Sequence, residues 1–206
     1  MALVKYNNNS ISAVTSTGLA TGSLVPIKTL TASSSATLSF VHGTDGVVLD
    51  STYPIYKFEF IDIHPASDTV NFKFQGSTNT GSSYGVTATT TFFAAYHDEA
   101  DSQSALAYQT GLDIAQGTGF IDLGGDTGND NDECLAGTLQ LFNPSSTTFI
   151  KNFISRVNVS NHNPMSVDAY VGGYFNTTSA VDAIQFKFDS GNIDSGKIKL
   201  YGIKDS

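Results

Sequence analysis

Residues 81–85, Gly-Ser-Ser-Tyr-Gly, have the G-x-S-x-G spacing that in α/β-hydrolases lifts a nucleophilic serine onto a sharp turn between a buried strand and a helix. Here the run follows Ser77-Thr78-Asn79-Thr80 and precedes Thr87-Ala88-Thr89-Thr90-Thr91, a stretch rich in β-branched residues. A strand after the serine leaves no helix to complete the elbow, so the run reads as a turn. His97-Asp98-Glu99 with Asp101 brings together an imidazole and carboxylates, the ingredients of a metal site or of acid–base chemistry. Neighbours on a strand face opposite sides. Only a loop would let these groups converge, and 96–104 is the one stretch where a helical turn is expected.

The stretch from Asp122 to Glu133 holds Asp126, Asp130, Asp132 and Glu133 with Asn129 and Asn131. Ca²⁺ takes six to eight oxygen ligands from a flexible loop, so these residues define a candidate cation loop. The EF-hand spacing is not met, because no glycine follows Asp130-Asn131-Asp132 at the required position. Solvent or a partner's lysines would screen the same carboxylates equally well. His42, His64 and His162 sit beside Gly, Pro and Asn in turn contexts and do not pair at ligand spacing. The one cysteine, Cys134, opens a strand pattern and reads as a small apolar residue. Paired carboxylates serve glycoside hydrolysis, and Glu59, Glu99 and Glu133 are the three glutamates beside sixteen aspartates. Aromatic platforms for sugar rings would have to come from Tyr, since the chain has no Trp.

The elements that must position these residues are strands. Tyr56, Phe58 and Phe60 alternate with Lys57, Glu59 and Ile61, the period of two that gives a sheet one apolar and one wet face. The pattern returns at Phe72 and Phe74, Leu139 and Leu141, Ile184 to Phe188, and Ile198 and Leu200. Further strands are expected near 24–30, 36–41, 87–95, 105–114, 147–159 and 169–175. Turn-forming clusters lie at 43–46, 76–81, 124–128, 143–144, 161–164 and 190–192. About ten short strands of this kind predict an all-β fold, an antiparallel two-sheet sandwich of jelly-roll type. Residues 24–206 form its single domain, and residues 1–23, dominated by Asn, Ser, Thr and Gly, form a polar arm. Lys57, Lys73, Lys187, Lys197 and Lys199 on outward faces are expected to guard sheet edges against pairing.

Composition narrows the partners. Charged residues are 14% of the 206 positions, well under the usual quarter, and Ser and Thr supply 47 positions instead. With a formal charge of -9 and one Arg, Arg156, the chain cannot build a phosphate-tracking surface, so nucleic acid is not an expected partner. No apolar run approaches the length of a membrane span, so no membrane is expected either. The opening residues lack the basic-then-apolar order of a secretory leader, which predicts folding in a host cytoplasm.

The run Ser190-Gly-Asn-Ile-Asp-Ser-Gly-Lys-Ile-Lys-Leu-Tyr-Gly-Ile203 resembles the end of many β-rich virion proteins of tailed bacteriophages, particularly marine ones. Lys5-Tyr-Asn-Asn-Asn9 and the block from Phe175 to Phe188 are similar too. The resemblance covers about a fifth of the chain. It implies a jelly-roll-like sandwich in the virion, as a capsid decoration protein or part of a tail appendage, and it brings no catalytic residues.

On these grounds the expected function is non-enzymatic: a decoration protein on the outer shell, with the major capsid protein or other virion proteins as partners. A compact domain without heptads or fibre repeats suits a shell surface better than a fibre shaft. Phe92, Phe93, Tyr96, Tyr108, Phe149 and Phe153 exceed what one sandwich interior takes up, which predicts a subunit interface and a homo-oligomer, a closed ring of identical subunits such as a trimer. A receptor-binding tail module using loops 76–86, 96–104 and 122–134 on host glycans is the alternative. A β-sandwich carbohydrate-active enzyme, with Asp and Glu of those loops, Glu99 and Glu133 among them, as acid and base, is a third reading. No cofactor is expected beyond the candidate Ca²⁺.

Overall fold

The computed structural model describes residues 23–205. The expected polar arm, apart from Ser23, and the Lys5–Asn9 segment of the resemblance lie outside the described residues. Twelve strands follow along the chain: β1 (Leu24–Thr31), β2 (Leu38–Val41), β3 (Ile55–Pro65), β4 (Val70–Ser77), β5 (Ala88–Asp98), β6 (Ser104–Tyr108), β7 (Ile121–Thr127), β8 (Leu135–Phe142), β9 (Lys151–Asn161), β10 (Met165–Phe175), β11 (Ala183–Phe188) and β12 (Ile193–Ile203). Every pairing is antiparallel, and the strands make one nearly barrel-shaped sheet. The all-β expectation therefore holds.

Pairing divides the strands into two runs. Eight of them lie in the order β1-β12-β3-β8-β9-β10-β5-β6. The other four lie in the order β7-β4-β11-β2. One residue pair, Thr127 on β7 with Asn161 on β9, hydrogen-bonds the two runs into a single sheet.

The core between them is made of phenylalanine. Phe186 of β11 lies 5.2 Å from Phe58 and 5.3 Å from Phe60, both on β3, and Phe74 of β4 lies 5.1 Å from Phe153 on β9. Most of these rings meet edge to face, the arrangement their quadrupoles favour. Each fully buried phenylalanine contributes about 1.5–3 kcal/mol, so the alternation of Tyr56, Phe58 and Phe60 settles which face of β3 turns inward.

Several sequence expectations are corrected. Gly124 to Gly128, read as a turn, belongs mostly to β7. Gly124 is there because a Cβ would lie 2.8 Å from Val159 Cγ2, so the position needs a residue without a side chain. No helical turn forms over 96–104: β5 runs to Asp98 and a short turn leads to β6. The strand expected from 147 starts only at Lys151. Before it, the Ser146 Oγ accepts the amides of Thr148 and Phe149, and the Lys151 ammonium takes the carbonyls of Ser146, Phe149 and Thr177, so these groups are withdrawn from any ladder. The five lysines expected to guard edges sit on β3, β4, β11 and β12, each paired on both sides. The edge strand β1 is instead blunted by Pro26, a bulge and Lys28.

Candidate functional site

The polar constellations singled out above do not converge. Gly81 to Gly85 is a turn in which Ser83 exchanges hydrogen bonds with the Asn79 side chain. His97 and Asp98 take opposite faces of β5, as strand geometry requires. His97 Nε2 meets Asp101 Oδ1 at 3.1 Å in solvent. Asp98 accepts the amides of Ser102 and Gln103, and hydrogen bonds led by that from the Ser102 hydroxyl hold its carboxyl below the ordinary range. Glu99 donates its backbone N–H to the Pro164 carbonyl.

In the acidic stretch, Glu133 Oε2 accepts the Asp130 amide at 2.8 Å and the Glu133 amide returns to the Asp130 carbonyl at 2.9 Å. That closes the turn on itself. Asp126 stands apart on a β7 bulge with φ +53°, its amide bound to Asn71 Oδ1. Among the described residues no three side chains of His, Cys, Asp and Glu gather as metal ligands. Asp122 is buried on the outer side of β7 against Lys73 at 3.2 Å. Burial raises its pKa, with Lys73 opposing. Burial, reinforced by Asp62, also raises the Cys134 thiol and keeps it protonated.

A continuous surface forms instead on the outside of β6, β5, β10, β9 and β8. Cross-strand pairing sets Tyr108, Phe93, Tyr170, Arg156 and Thr138 in one row. The Phe93 and Tyr170 rings stack, and the Arg156 guanidinium lies 5.0 Å from the Tyr170 centroid. Arg156 is fixed by Asp168, with Nε 3.0 Å from Oδ1 and Nη2 2.6 Å from Oδ2. The guanidinium in turn holds the Asp168 carboxyl below its ordinary range.

The next row is Thr91, Gly172, Ile154 and Gln140. Gly172 has no side chain to fill the space above it, and a groove of about 440 Å³ opens there between the aromatic row and Ile154. Leu106 is 70% exposed, Ile154 51% and Tyr108 50%. No protein-family model, curated protein or solved structure matches the chain.

The six aromatic residues expected at an interface thus divide. Phe93 and Tyr108 are on this face and Phe149 is exposed on the loop before β9. Phe92 and Phe153 are corrected to core residues, because in each strand they occupy the alternate, inward positions. Tyr96 is partly buried and lines a cavity on the inner side of β5. Sequence reasoning missed Leu106, Ile154 and Tyr170 as surface residues. The signal was present in their parity: Ile154 is one step from Phe153 and Tyr170 one step from Val171. The charges of Arg156 and Asp168 neutralise each other, His97 meets Asp101 at one end of the face and Asp113 accepts from Tyr108 at its edge; the rest of the surface is apolar, hydroxyl or amide. Such a face is suited to covering another surface.

Proposed function

We propose that this protein is a non-enzymatic structural component of a tailed-bacteriophage particle, a two-layer, jelly-roll-like decoration protein seated on the outer capsid shell. The observation that carries the reading is the exposed face of Leu106, Tyr108, Phe93 and Ile154, continuous across four neighbouring strands. Contiguous apolar patches rimmed by polar groups mark association surfaces. Solvating such a patch is costly, and a neighbouring protein that covers it recovers that cost. The face is also electrically quiet in a chain of formal charge -9, since its one cation is paired with Asp168. A neutral strip is where an acidic protein approaches a shell without repulsion. The phenylalanine layer between the eight-strand and four-strand runs supports the two-layer description, and the strands from Phe175 to Ile203 carry the resemblance to virion proteins.

The test is electron microscopy of phage particles labelled with an antibody against this chain, together with rebinding of purified chain to particles stripped of it. Label spread over the shell and loss of rebinding by Leu106→Lys support the reading. Label confined to the tail would replace it with the receptor-binding alternative, and unlabelled particles would overturn both.

A further inference from the structure

The loop before β9 holds a phenylalanine in water and fixes it there. Phe149 is 70% exposed and lies between two anchors. Its amide donates to Ser146 Oγ at 2.9 Å, and its carbonyl accepts from Lys151 Nζ at 2.9 Å. Lys151 itself is fully buried, and its ammonium also reaches the carbonyls of Ser146 and Thr177. A buried charge is costly, and this one is satisfied only by holding the loop in one shape. The backbone under Phe149 is therefore ordered before anything touches the ring, which reduces the entropy lost when the ring is covered.

At the far end of the same strand the interior is open. A cavity of about 190 Å³ lies between β5, β10 and β7, its apolar wall made by Phe92, Ala94, Leu112, Met165 and Val167 and its polar rim by Tyr96, Gln109, Asp126 and Asn161. Small-molecule sites run from about 300 to 1,000 Å³, so this one is undersized for a cofactor. A cavity of about 150 Å³ already accepts a benzene ring. One aromatic side chain is the ligand that fits.

We propose that copies of this chain join head to tail, Phe149 of one copy entering the cavity between β5, β10 and β7 of the next. Lys151 and Asn161 are the two ends of β9, so at the rise of a strand the knob and the socket are about 33 Å apart. No copy can fill its own socket. The charges select the same orientation. The socket end carries Asp98, Glu99 and Asp101 around one turn, Asp130 and Glu133 in another and Asp126 on β7, whereas 143–150 and its neighbours 82–87 and 176–180 have no charged residue. Two socket ends repel each other; a knob end meets a socket end without that penalty. Contacts between unlike patches of identical subunits are heterologous, and they close into a ring or continue as a chain according to their rotation.

This contact uses a different surface from the seat on the shell and does not depend on it. The experiment is sedimentation velocity over a concentration series. The wild-type chain gains mass with concentration, and Phe149→Ser weakens association by about 30-fold or more, the loss expected of a central aromatic anchor. Val167→Phe fills the socket and is also monomeric, with Leu112→Trp as a second filler should the first disturb the fold. Mixed one to one, Phe149→Ser, which keeps its socket, and a folded filler variant, which keeps its knob, form a dimer that grows no further. Leu106→Lys, which breaks the proposed seat on the shell, leaves this association unchanged. A wild-type chain that stays monomeric at millimolar concentration, a Phe149→Ser chain that associates like wild type, or a mixture of folded variants that stays monomeric would each overturn the proposal.

Discussion

The rings of Phe93 and Tyr170, on adjacent strands β5 and β10, lie parallel to within 1° with centroids 4.9 Å apart. Arg156 on β9 covers the Tyr170 ring at 5.0 Å, so three strands are tied by one stack on the outer face. Aromatic pairs contribute about 0.5–1.5 kcal/mol beyond their buried area, and an exposed cation over a ring adds about 0.5–1 kcal/mol. Tyr170→Ala, which removes both, lowers stability by about 2 kcal/mol in urea denaturation. A double-mutant cycle with Phe93→Ala returns a coupling of about 1 kcal/mol. A coupling near zero would mean the two rings are merely adjacent.

Gly172 and Gly173 are consecutive on β10 and oppositely placed. A Cβ on Gly173 would come within 2.6 Å of the Thr89 carbonyl oxygen and 2.9 Å of Phe153 Cζ, whereas on Gly172 the nearest atom is Thr91 Oγ1 at 3.7 Å. Gly173→Ala destabilises by about 2 kcal/mol or more, as overpacking does. Gly172→Ala is neutral to slightly stabilising because it restricts only the unfolded chain. Thermal melting of the two variants side by side checks the contrast.

Replacing Lys151 by Met preserves bulk and deletes the donor for the carbonyls of Ser146, Phe149 and Thr177. The stability loss is about 1–2 kcal/mol, the scale of hydrogen bonds to a charged group whose acceptors are partly solvated. Its distinguishing sign is local: amide hydrogen exchange accelerates over 146–150, while exchange in the middle of β3 follows only the global loss.

Tyr56 is fully buried, with its hydroxyl donating to the Asp50 carbonyl at 3.0 Å and accepting the Asp50 amide at 3.0 Å. Burial pushes its pKa from 10.0 up to about 12. Below pH 10 both folded and unfolded chains keep the proton. Between pH 10 and about 12 the unfolded chain loses it first, so stability falls as pH rises through that window. Tyr56→Phe flattens this alkaline slope, read as urea midpoint against pH, and an unchanged slope would assign the loss to other groups.

Much of the fold was legible because the apolar faces repeat every second residue with little interruption. In β3 this parity fixed both the element and the side turned inward. What escaped were decisions made by distant partners. Gly124 and Gly125 look like a turn until Val159 and Asn71 are seen occupying the space where side chains would stand. Residues 147–150 look like strand until the Lys151 ammonium claims the Phe149 carbonyl and the Ser146 hydroxyl the amides of Thr148 and Phe149. The exposed apolar face was half legible. Aromatic content announced a surplus, but assigning Phe92 and Phe153 to the surface ignored that each precedes its exposed neighbour by one position. Their neighbours Phe93 and Ile154 belong there instead. Composition and spacing do not show how the acidic run from Asp126 to Glu133 folds: hydrogen bonding turns Glu133 onto the Asp130 backbone, and Asp126 belongs to β7.

Strand β12 is hydrogen-bonded between β1 and β3, so the sheet's order interleaves late sequence with early sequence. A ribosome that has released only β1 to β10 has produced β1 with no partner and β3 with one side bare. Closing loops this long is slow: β3-β8-β9-β10-β5-β6 can pair without β12, whereas β1 and the bare side of β3 wait for Ile193 to Ile203. The edge that β1 begins is consequently closed only by the last of the described strands.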